Sequence, residues 1–412
     1  MKDLNLLVIG SYPPFGTIHD KAIVGGGSYT KNTLLSLVRQ AKKQNITADI
    51  TVLAEKLDEK TSYLDEEIKV ERVWKKNNLL AFWRLWKSIK SSKTKDILFT
   101  FEFSMFGSLL YLLPLPLFLI GIKLRGKRLH VVLHQVITDA SSMSGHLNIP
   151  QKSLKTTLYT LLFQAFYHMI TSVSTRVIVF EEIFKKRLGN KSHIVVIPHG
   201  VEKIHLSLSQ SEARKKLGLP LNKKIVLCFG FLAWYKGSDW IASLFASVDA
   251  LSDTVLVIAG GPNNNHLSKP FYQKYIADVE AKRSDNIHIT GFVDEKNLPL
   301  YFKACDLTLF PYRTLMASSG PLSFTFSLST PFLLSDKLSD LALTWDFADA
   351  LQKENLFMHD LVFPLQKQAA SIIDITLSDT VKLQKLQQLS SRLQEKRLWN
   401  TIADHYLEIL VS

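Results

Sequence analysis

The chain has 412 residues, 46% of them hydrophobic and 21% charged, with a formal charge of +13. This composition excludes a disordered chain, and the length exceeds one ordinary core, so two domains of about 200 residues are expected. The two cysteines, Cys228 and Cys305, sit in apolar strand-like runs and read as buried thiols of a reducing compartment, not as a disulfide framework or a metal site.

Leu4 to Ile9 is an apolar run that predicts a first buried strand, ended by Gly10-Ser11-Tyr12-Pro13-Pro14. The run is too short for a signal peptide, so a cytoplasmic location is expected. Gly25-Gly26-Gly27 then precedes a helix from about Ser28 to Lys43. A strand, a glycine-rich loop and a helix suggest a nucleotide-type half-fold, because glycine lets the backbone approach a ligand closely. The spacing is not a dinucleotide fingerprint, so no nicotinamide site is read. A mobile loop is the plain alternative for the glycines.

Asp49 to Leu53 predicts a second strand and Ile68 to Val73 a third. From Arg72 to Lys95 there are eight Lys/Arg and no Asp or Glu, with Trp74, Phe82, Trp83 and Trp86 interleaved. Leu79, Phe82, Trp83 and Trp86 fall at helical spacing on one side. The pattern predicts a basic amphipathic helix, lying on an anionic membrane surface or packing its tryptophans on the sheet. No nucleic-acid module accompanies it, so no nucleic-acid partner is expected. Phe103 to Ile122 is twenty residues without a charge, long enough for a membrane span. Pro114 and Pro116 interrupt it, however, and the runs on either side, Asp96 to Phe101 and Arg128 to His134, read as neighbouring strands of one sheet. A buried or surface-lying helix is expected, with interfacial insertion as the alternative.

His134 follows the strand Arg128 to Leu133, at the carboxyl end where open α/β sheets bind ligands. A satisfied structural histidine is the bland reading. The alternation continues with a helix from Leu154 to Thr171, a strand Arg176 to Phe180, a helix Glu181 to Leu188 and a strand His193 to Ile197. Glu202 to Asn222, polar and helix-forming, reads as the crossing between domains.

Ile225 to Phe229 is a buried strand released by Gly230, and a short aromatic loop leads to Lys236-Gly237 and a helix from about Ser238. Free N–H groups at a helix start, with a lysine as counter-charge, make an anion site. A solvated surface lysine is the plain alternative. Thr254 to Ala259, Ile287 to Thr290 and Leu307 to Phe310 are further buried strands. Alternation of this kind in both halves predicts two doubly wound, Rossmann-like parallel-sheet domains facing each other across a cleft. Val381 to Leu410 is largely helical, with Trp399 and Tyr406 available to pin it onto a domain face. No His/Asp cluster stands at metal-like spacing, and no metal is expected.

The ordered series Gly26-Gly27, His134, Ile197-Pro198-His199-Gly200-Val201, Phe229-Gly230 with Lys236-Gly237, Ala259-Gly260-Gly261, Thr290-Gly291-Phe292-Val293, Asp306 to Tyr312 and Ser318-Ser319-Gly320 resembles the family-4 retaining glycosyltransferases of GT-B architecture. The resemblance covers most of the chain, from 4 to 335. It implies transfer of a sugar from a nucleoside-diphosphate sugar to a glycan or lipid-linked acceptor, with retention and without a metal or other cofactor. It implies an acceptor-side domain over 1–200, a nucleotide-sugar domain over 201–390, and a final helix over 391–412 packing back on the first domain.

By the same resemblance, His134 and Lys236 are the catalytic residues. His134 stands beside the transferred sugar and Lys236 against the donor diphosphate. Gly26, Gly27, Gly230 and Gly261 contact the donor through backbone, and Ser318, Ser319 and Gly320 cradle its phosphate. A basic aromatic stretch from Arg72 to Lys95 implies an acceptor or carrier at the cytoplasmic membrane face.

The chain departs from the pattern at its Glu-x7-Glu pair, where Met316 and Phe324 stand, and at Phe231, where an arginine is usual. Ser335 to Leu338 replaces the glycine-rich loop beyond Pro331. The departures leave a second expectation, a catalytically inactive GT-B protein acting as a binding or partner subunit.

Overall fold

The computed structural model describes residues 3–17, 26–57, 60–263 and 266–411. The chain divides into two compact units. Unit 1 comprises 1–138, 161–200 and 397–412, and unit 2 comprises 139–160 and 201–396.

Unit 1 alternates strands and helices. In chain order they are β1 (Asp3–Ile9), α1 (Gly26–Lys43), β2 (Thr47–Glu55), β3 (Ser62–Asp65), β4 (Ile68–Trp74), α2 (Ala81–Ser91), β5 (Asp96–Phe101), α3 (Leu115–Leu124) and β6 (Arg128–Leu133). After α4 (Ser144–Leu147) in unit 2, α5 (Leu154–Val173) crosses the division, and β7 (Arg176–Val179), α6 (Glu182–Arg187) and β8 (Ile194–Val196) complete the sheet. Its order is β3-β4-β2-β1-β5-β6-β7-β8, parallel throughout except that β3 pairs antiparallel with β4. The central strands are apolar on both faces, as a helix-covered parallel sheet requires.

Unit 2 continues with α7 (Gln210–Leu217), β9 (Lys224–Phe229), α8 (Ser238–Ser247), β10 (Thr254–Ala259), α9 (Pro270–Glu280), β11 (Ile287–Ile289), α10 (Leu298–Ala304), β12 (Leu307–Phe310), α11 (Gly320–Ser327) and β13 (Phe332–Ser335). Next come α12 (Trp345–Lys353), α13 (Met358–Leu361), β14 (Val362–Phe363), α14 (Ala369–Ser378) and α15 (Thr380–Arg397). The sheet order is β11-β10-β9-β12-β13-β14, all parallel. In each sheet the order turns back once, between β1 and β5 in unit 1 and between β9 and β12 in unit 2. Ligands of open α/β sheets bind beyond the carboxyl ends of the strands at such a point.

The start of unit 2 is held by one buried side chain. Ser209 and Glu212 form a reciprocal capping box at the start of α7. From within that helix Arg214 reaches inward. Its Nε donates to Ala304 O at 2.9 Å, Nη1 to Leu221 O and Lys223 O, and Nη2 to Asp306 Oδ2 at 2.8 Å. Asp306 Oδ2 also accepts from Ile225 N at 2.7 Å. One guanidinium thus ties α7 to the entries of β9 and β12.

The last helix, α16 (Trp399–Leu410), packs on α1 in unit 1. Ile402, Tyr406, Leu407 and Leu410 are buried, Tyr406 and Tyr29 share a 2.5 Å hydrogen bond, and Gln40 Nε2 donates to the Asp404 carboxylate at 2.9 Å.

Several expectations change. Residues 139–160 group with unit 2 and not with the domain expected over 1–200, because Gly145 of α4 seats under Trp234; a Cβ there would lie 2.2 Å from the ring. The other limit of unit 2 falls after Lys396, not at 390. The stretch 72–95 is not one amphipathic helix. Arg72 and Trp74 end β4, paired with β2 and fully interior, where Arg72 donates to Tyr12 O, Glu55 O, Pro13 O and Tyr63 Oη. Only Ala81–Ser91 is helical, and it turns Phe82, Leu85 and Ile89 inward while Trp83 faces solvent. Strand pairing and the apolar stripe of α2 outcompeted the aromatic pattern.

The uncharged segment 103–122 forms a 3-10 turn, Leu109–Leu112, and then α3. Pro114 and Pro116 sit at the start of that helix, where a missing N–H costs nothing. Among the described residues no helix is long and apolar enough to cross a membrane. The short strands β3, β13 and β14 had no clear sequence signal.

Candidate functional site

In unit 2 the candidate site forms where β9, β10 and β12 end. Gly230 adopts φ +121°, and a Cβ on it would lie 2.6 Å from Lys236 Nζ and 2.8 Å from Pro321 Cγ. Glycine is therefore required both by the backbone and by what lies against it. The β10 turn packs on the same loop: a Cβ on Gly260 would lie 2.0 Å from Gly230 O, and Leu232 N donates to Gly261 O at 3.0 Å. Gly261 thus belongs to the same backbone cluster.

Lys236, in the turn Trp234–Lys236, is only 8% exposed. Burial lowers its ammonium from the usual lysine range to about 8, with the neighbouring Cys228 thiol opposing the shift. That thiol is itself pushed up to about 12 by burial, so it supplies no thiolate at neutral pH. Among the described residues no carboxylate pairs with Lys236. A buried cation without a counter-ion is costly, and an anionic ligand is the group that offsets the cost.

The start of α11 stands beside this lysine through Pro321. Ser319 caps the helix, its Oγ accepting from Leu322 N at 3.2 Å and sharing a 2.8 Å hydrogen bond with Tyr312 Oη. Gly320 is exposed, and the space in front of it is open to 4 Å; Ser318, half-buried, leads into the cap. The structure therefore brings Gly230, the buried Lys236 ammonium, Ser319 and Gly320 to one end of the sheet, with Gly320 bordering open space and Leu322 N already taken by the Ser319 cap. Met316 is buried, and Phe324 packs toward Phe229 and Phe302 with ring centroids 5.9 and 6.4 Å away. No carboxylate stands at either position of the missing pair.

Sequence reasoning missed what holds the lysine loop. Arg313 donates bidentately to Asp239 at 2.8 and 2.7 Å and stacks over Trp234, 4.9 Å from the ring centroid. Its backbone N–H donates to Tyr235 O at 2.7 Å. A lone Arg-Asp pair 74 residues apart leaves no local pattern.

Unit 1 presents a second cluster at the ends of β5 and β6. Gly26 and Gly27 open α1; Gly25 lies outside the described residues. Gly26 N donates to Glu102 Oε2 at 3.2 Å, and a Cβ on Gly26 would lie 3.5 Å from His134 Nε2. Glu102 also accepts from Ser104 Oγ at 2.8 Å, and burial raises its carboxyl above the usual range. It was not singled out from the sequence, although it follows β5 as His134 follows the adjacent β6.

His134 lies edge-on to Tyr29 and Phe180, at 4.8 and 5.2 Å between centroids. Its buried Nε2 has no hydrogen-bond partner among the described residues. Burial, aided by the nearby His199, pushes its pKa down to about 3, so the ring is neutral near pH 7. A neutral ring has a lone pair or an N–H to offer a ligand hydroxyl, but it carries no ionic proton to give. The same burial sets a pH dependence. Unfolded histidine titrates near 6.5, so between about 6.5 and 3 the unfolded state binds more protons, and stability falls as pH drops through that window. His199, lowered by burial to about 4, acts in the same sense. His134→Phe is expected to flatten the fall in melting temperature between pH 6.5 and 4. Parallel pH profiles for the two proteins would show the ring to be solvated.

Comparison with known proteins adds to this geometry. Residues 209–325, which span the Gly230–Lys236 loop and the start of α11, match the family described as Glycosyl transferases group 1. The lipopolysaccharide core biosynthesis mannosyltransferase LpsB of Rhizobium meliloti (strain 1021) is 31% identical over 123 residues, 29% of this chain. The match spans 34% of the length of that curated relative. Two solved structures share the fold over both units. Sucrose-phosphate synthase from Thermosynechococcus elongatus superposes with a TM-score of 0.67 at 16% identity, covering 98% of each chain. Anabaena HepE in complex with UDP and glucose does so with 0.63 at 14% identity, covering 99% of each. The chain has the GT-B fold of two parallel-sheet α/β units.

Proposed function

We propose that the chain is a retaining hexosyltransferase that moves a sugar from a nucleoside-diphosphate sugar to a glycan or lipid-linked acceptor. The observation that carries the reading is the buried Lys236 ammonium, without a carboxylate partner among the described residues, beside Gly230 and the open start of α11. As the glycosidic bond to the diphosphate breaks, negative charge grows on the leaving phosphate. A preorganised ammonium, with the Gly320 N–H at the start of α11, stabilises that charge without a metal. Unit 1 is assigned the acceptor and the neutral His134, which orients a sugar hydroxyl. A lipid-linked acceptor brings the protein to the cytoplasmic face of a membrane as a peripheral protein.

The test is calorimetric titration of the purified chain with UDP and with GDP. Micromolar binding of one of them is expected and names the donor class. A folded chain that binds neither would overturn a working donor site. The LpsB relative is named a mannosyltransferase, and the HepE structure carries UDP; both support titrating the two nucleotides.

A second reading is favoured by one observation. The inward Phe324 and buried Met316 leave both positions of the missing glutamate pair apolar, which suits a non-catalytic binding or partner subunit. On that reading Lys236→Ala leaves the biological activity intact.

A further inference from the structure

The helix α3 of unit 1 is apolar on both faces, although only one is covered. Leu115, Phe118, Leu119 and Ile122 are buried against the unit. On the other side Leu113, Leu117, Ile120 and Leu124 are 69, 76, 39 and 82% exposed. Within α3 the spacing of Leu117, Ile120 and Leu124 is i, i+3 and i+7, which makes one stripe that Leu113 extends from the turn before the helix. Single exposed leucines are ordinary, but an aligned row of three on a helix already holding its core, with Leu113 just before it, is not.

What surrounds the stripe selects its partner. From Phe103 to Lys127 there is no Asp or Glu, and α3 runs into Lys123, Arg125 and Lys127. The neighbouring helix α2 touches it through Phe82 and Phe118, 5.2 Å apart, and through Trp86, whose ring lies where a Cβ on Gly121 would meet it at 3.0 Å. The outer row of α2 is Trp83, Lys87 and Lys90, all exposed. Lys87 sits 4.4 Å over the Trp83 ring and Arg125 5.4 Å over Trp86. Leucines flanked by tryptophans and cations, without an acid among them, match the boundary between acyl chains and anionic headgroups.

We propose that α3, with the outer row of α2, docks flat on an anionic lipid bilayer. The exposed leucine stripe enters the acyl boundary, and the lysines and arginine meet lipid phosphates. The proposal takes a membrane as partner from the peripheral reading above, but its contact residues are those of α2 and α3, not the whole stretch 72–95.

The test is co-sedimentation of the full chain with vesicles of phosphatidylcholine alone or mixed with phosphatidylglycerol, without nucleotide or acceptor. Binding to the mixed vesicles is expected, weakening as salt rises. Leu117→Glu/Leu124→Glu is expected to lower it roughly tenfold or more. Lys87→Glu/Lys90→Glu, at exposed positions that do not touch the core of α3, is expected to weaken binding to the anionic vesicles alone.

Failure of the parent to bind, or equal binding by the leucine variant, would overturn the proposal. A parent that is dimeric by light scattering and becomes monomeric in that variant would overturn it too, since a second copy would then cover the face. Nucleotide titration is read separately, so loss of docking and loss of the sugar-transfer reading are told apart.

Discussion

Replacing Lys236 with alanine is expected to remove nucleotide binding and to lower sugar transfer by about 10²–10³-fold, the usual cost of losing one preorganised charge stabiliser. The reason is the site's asymmetry. The ammonium is buried, burial holds it down to about 8, and no carboxylate among the described residues answers it. An arriving diphosphate supplies that answer and raises the ammonium's affinity for its proton. Affinity for UDP or GDP is therefore expected to fall above about pH 8, where the free lysine loses its proton. Below that, binding should be flat with respect to this group. Stability should move the other way: deleting an uncompensated buried charge leaves a protein that melts no lower than the parent. A variant with intact titration would refute the assignment. One with lost binding and a lowered melting temperature would mark Lys236 as structural.

Arg214→Met is expected to cost about 3–5 kcal/mol, the range for removing one partner of a buried, hydrogen-bonded ion pair. Four protein oxygens lose a donor at once: Ala304 O, Leu221 O, Lys223 O and the Asp306 carboxylate. Methionine fills most of the volume, so the loss reads the polar network and not a cavity. Asp306 keeps its bond from Ile225 N, and that oxygen survives in asparagine. Arg214→Met/Asp306→Asn is therefore expected to recover part of the loss by removing the stranded charge. Urea unfolding of the parent, single and double variants gives all three values. A single-variant loss under about 1 kcal/mol would mean that water replaces the guanidinium.

Much of this architecture is legible in the amino-acid sequence. Runs such as Ile225 to Phe229 and Thr254 to Ala259 are apolar on both faces, and only a covered parallel sheet has use for that pattern. Gly230, Gly260 and Gly261 announce close backbone approaches at strand ends, and each is where another atom would collide with a Cβ. The stretch from Arg72 to Lys95 misleads because charge and tryptophan content say nothing about which residues a neighbouring strand will claim. Arg72 reads as solvated until Tyr12, Pro13 and Glu55 surround it with carbonyls.

The glycine-rich turns, the two sheets and the lysine that ends the aromatic loop are properties of the sequence itself, because backbone permissiveness, periodicity and strand burial are local. The tertiary structure alone decided that Lys236 is buried with no carboxylate partner among the described residues, that Glu102 holds Gly26 beside His134, and that Arg313 clamps Asp239 while stacked over Trp234. It also decided that residues 139–160 serve unit 2. Each of these depends on desolvation or on pairs far apart in the chain, and neither is set until the chain has folded.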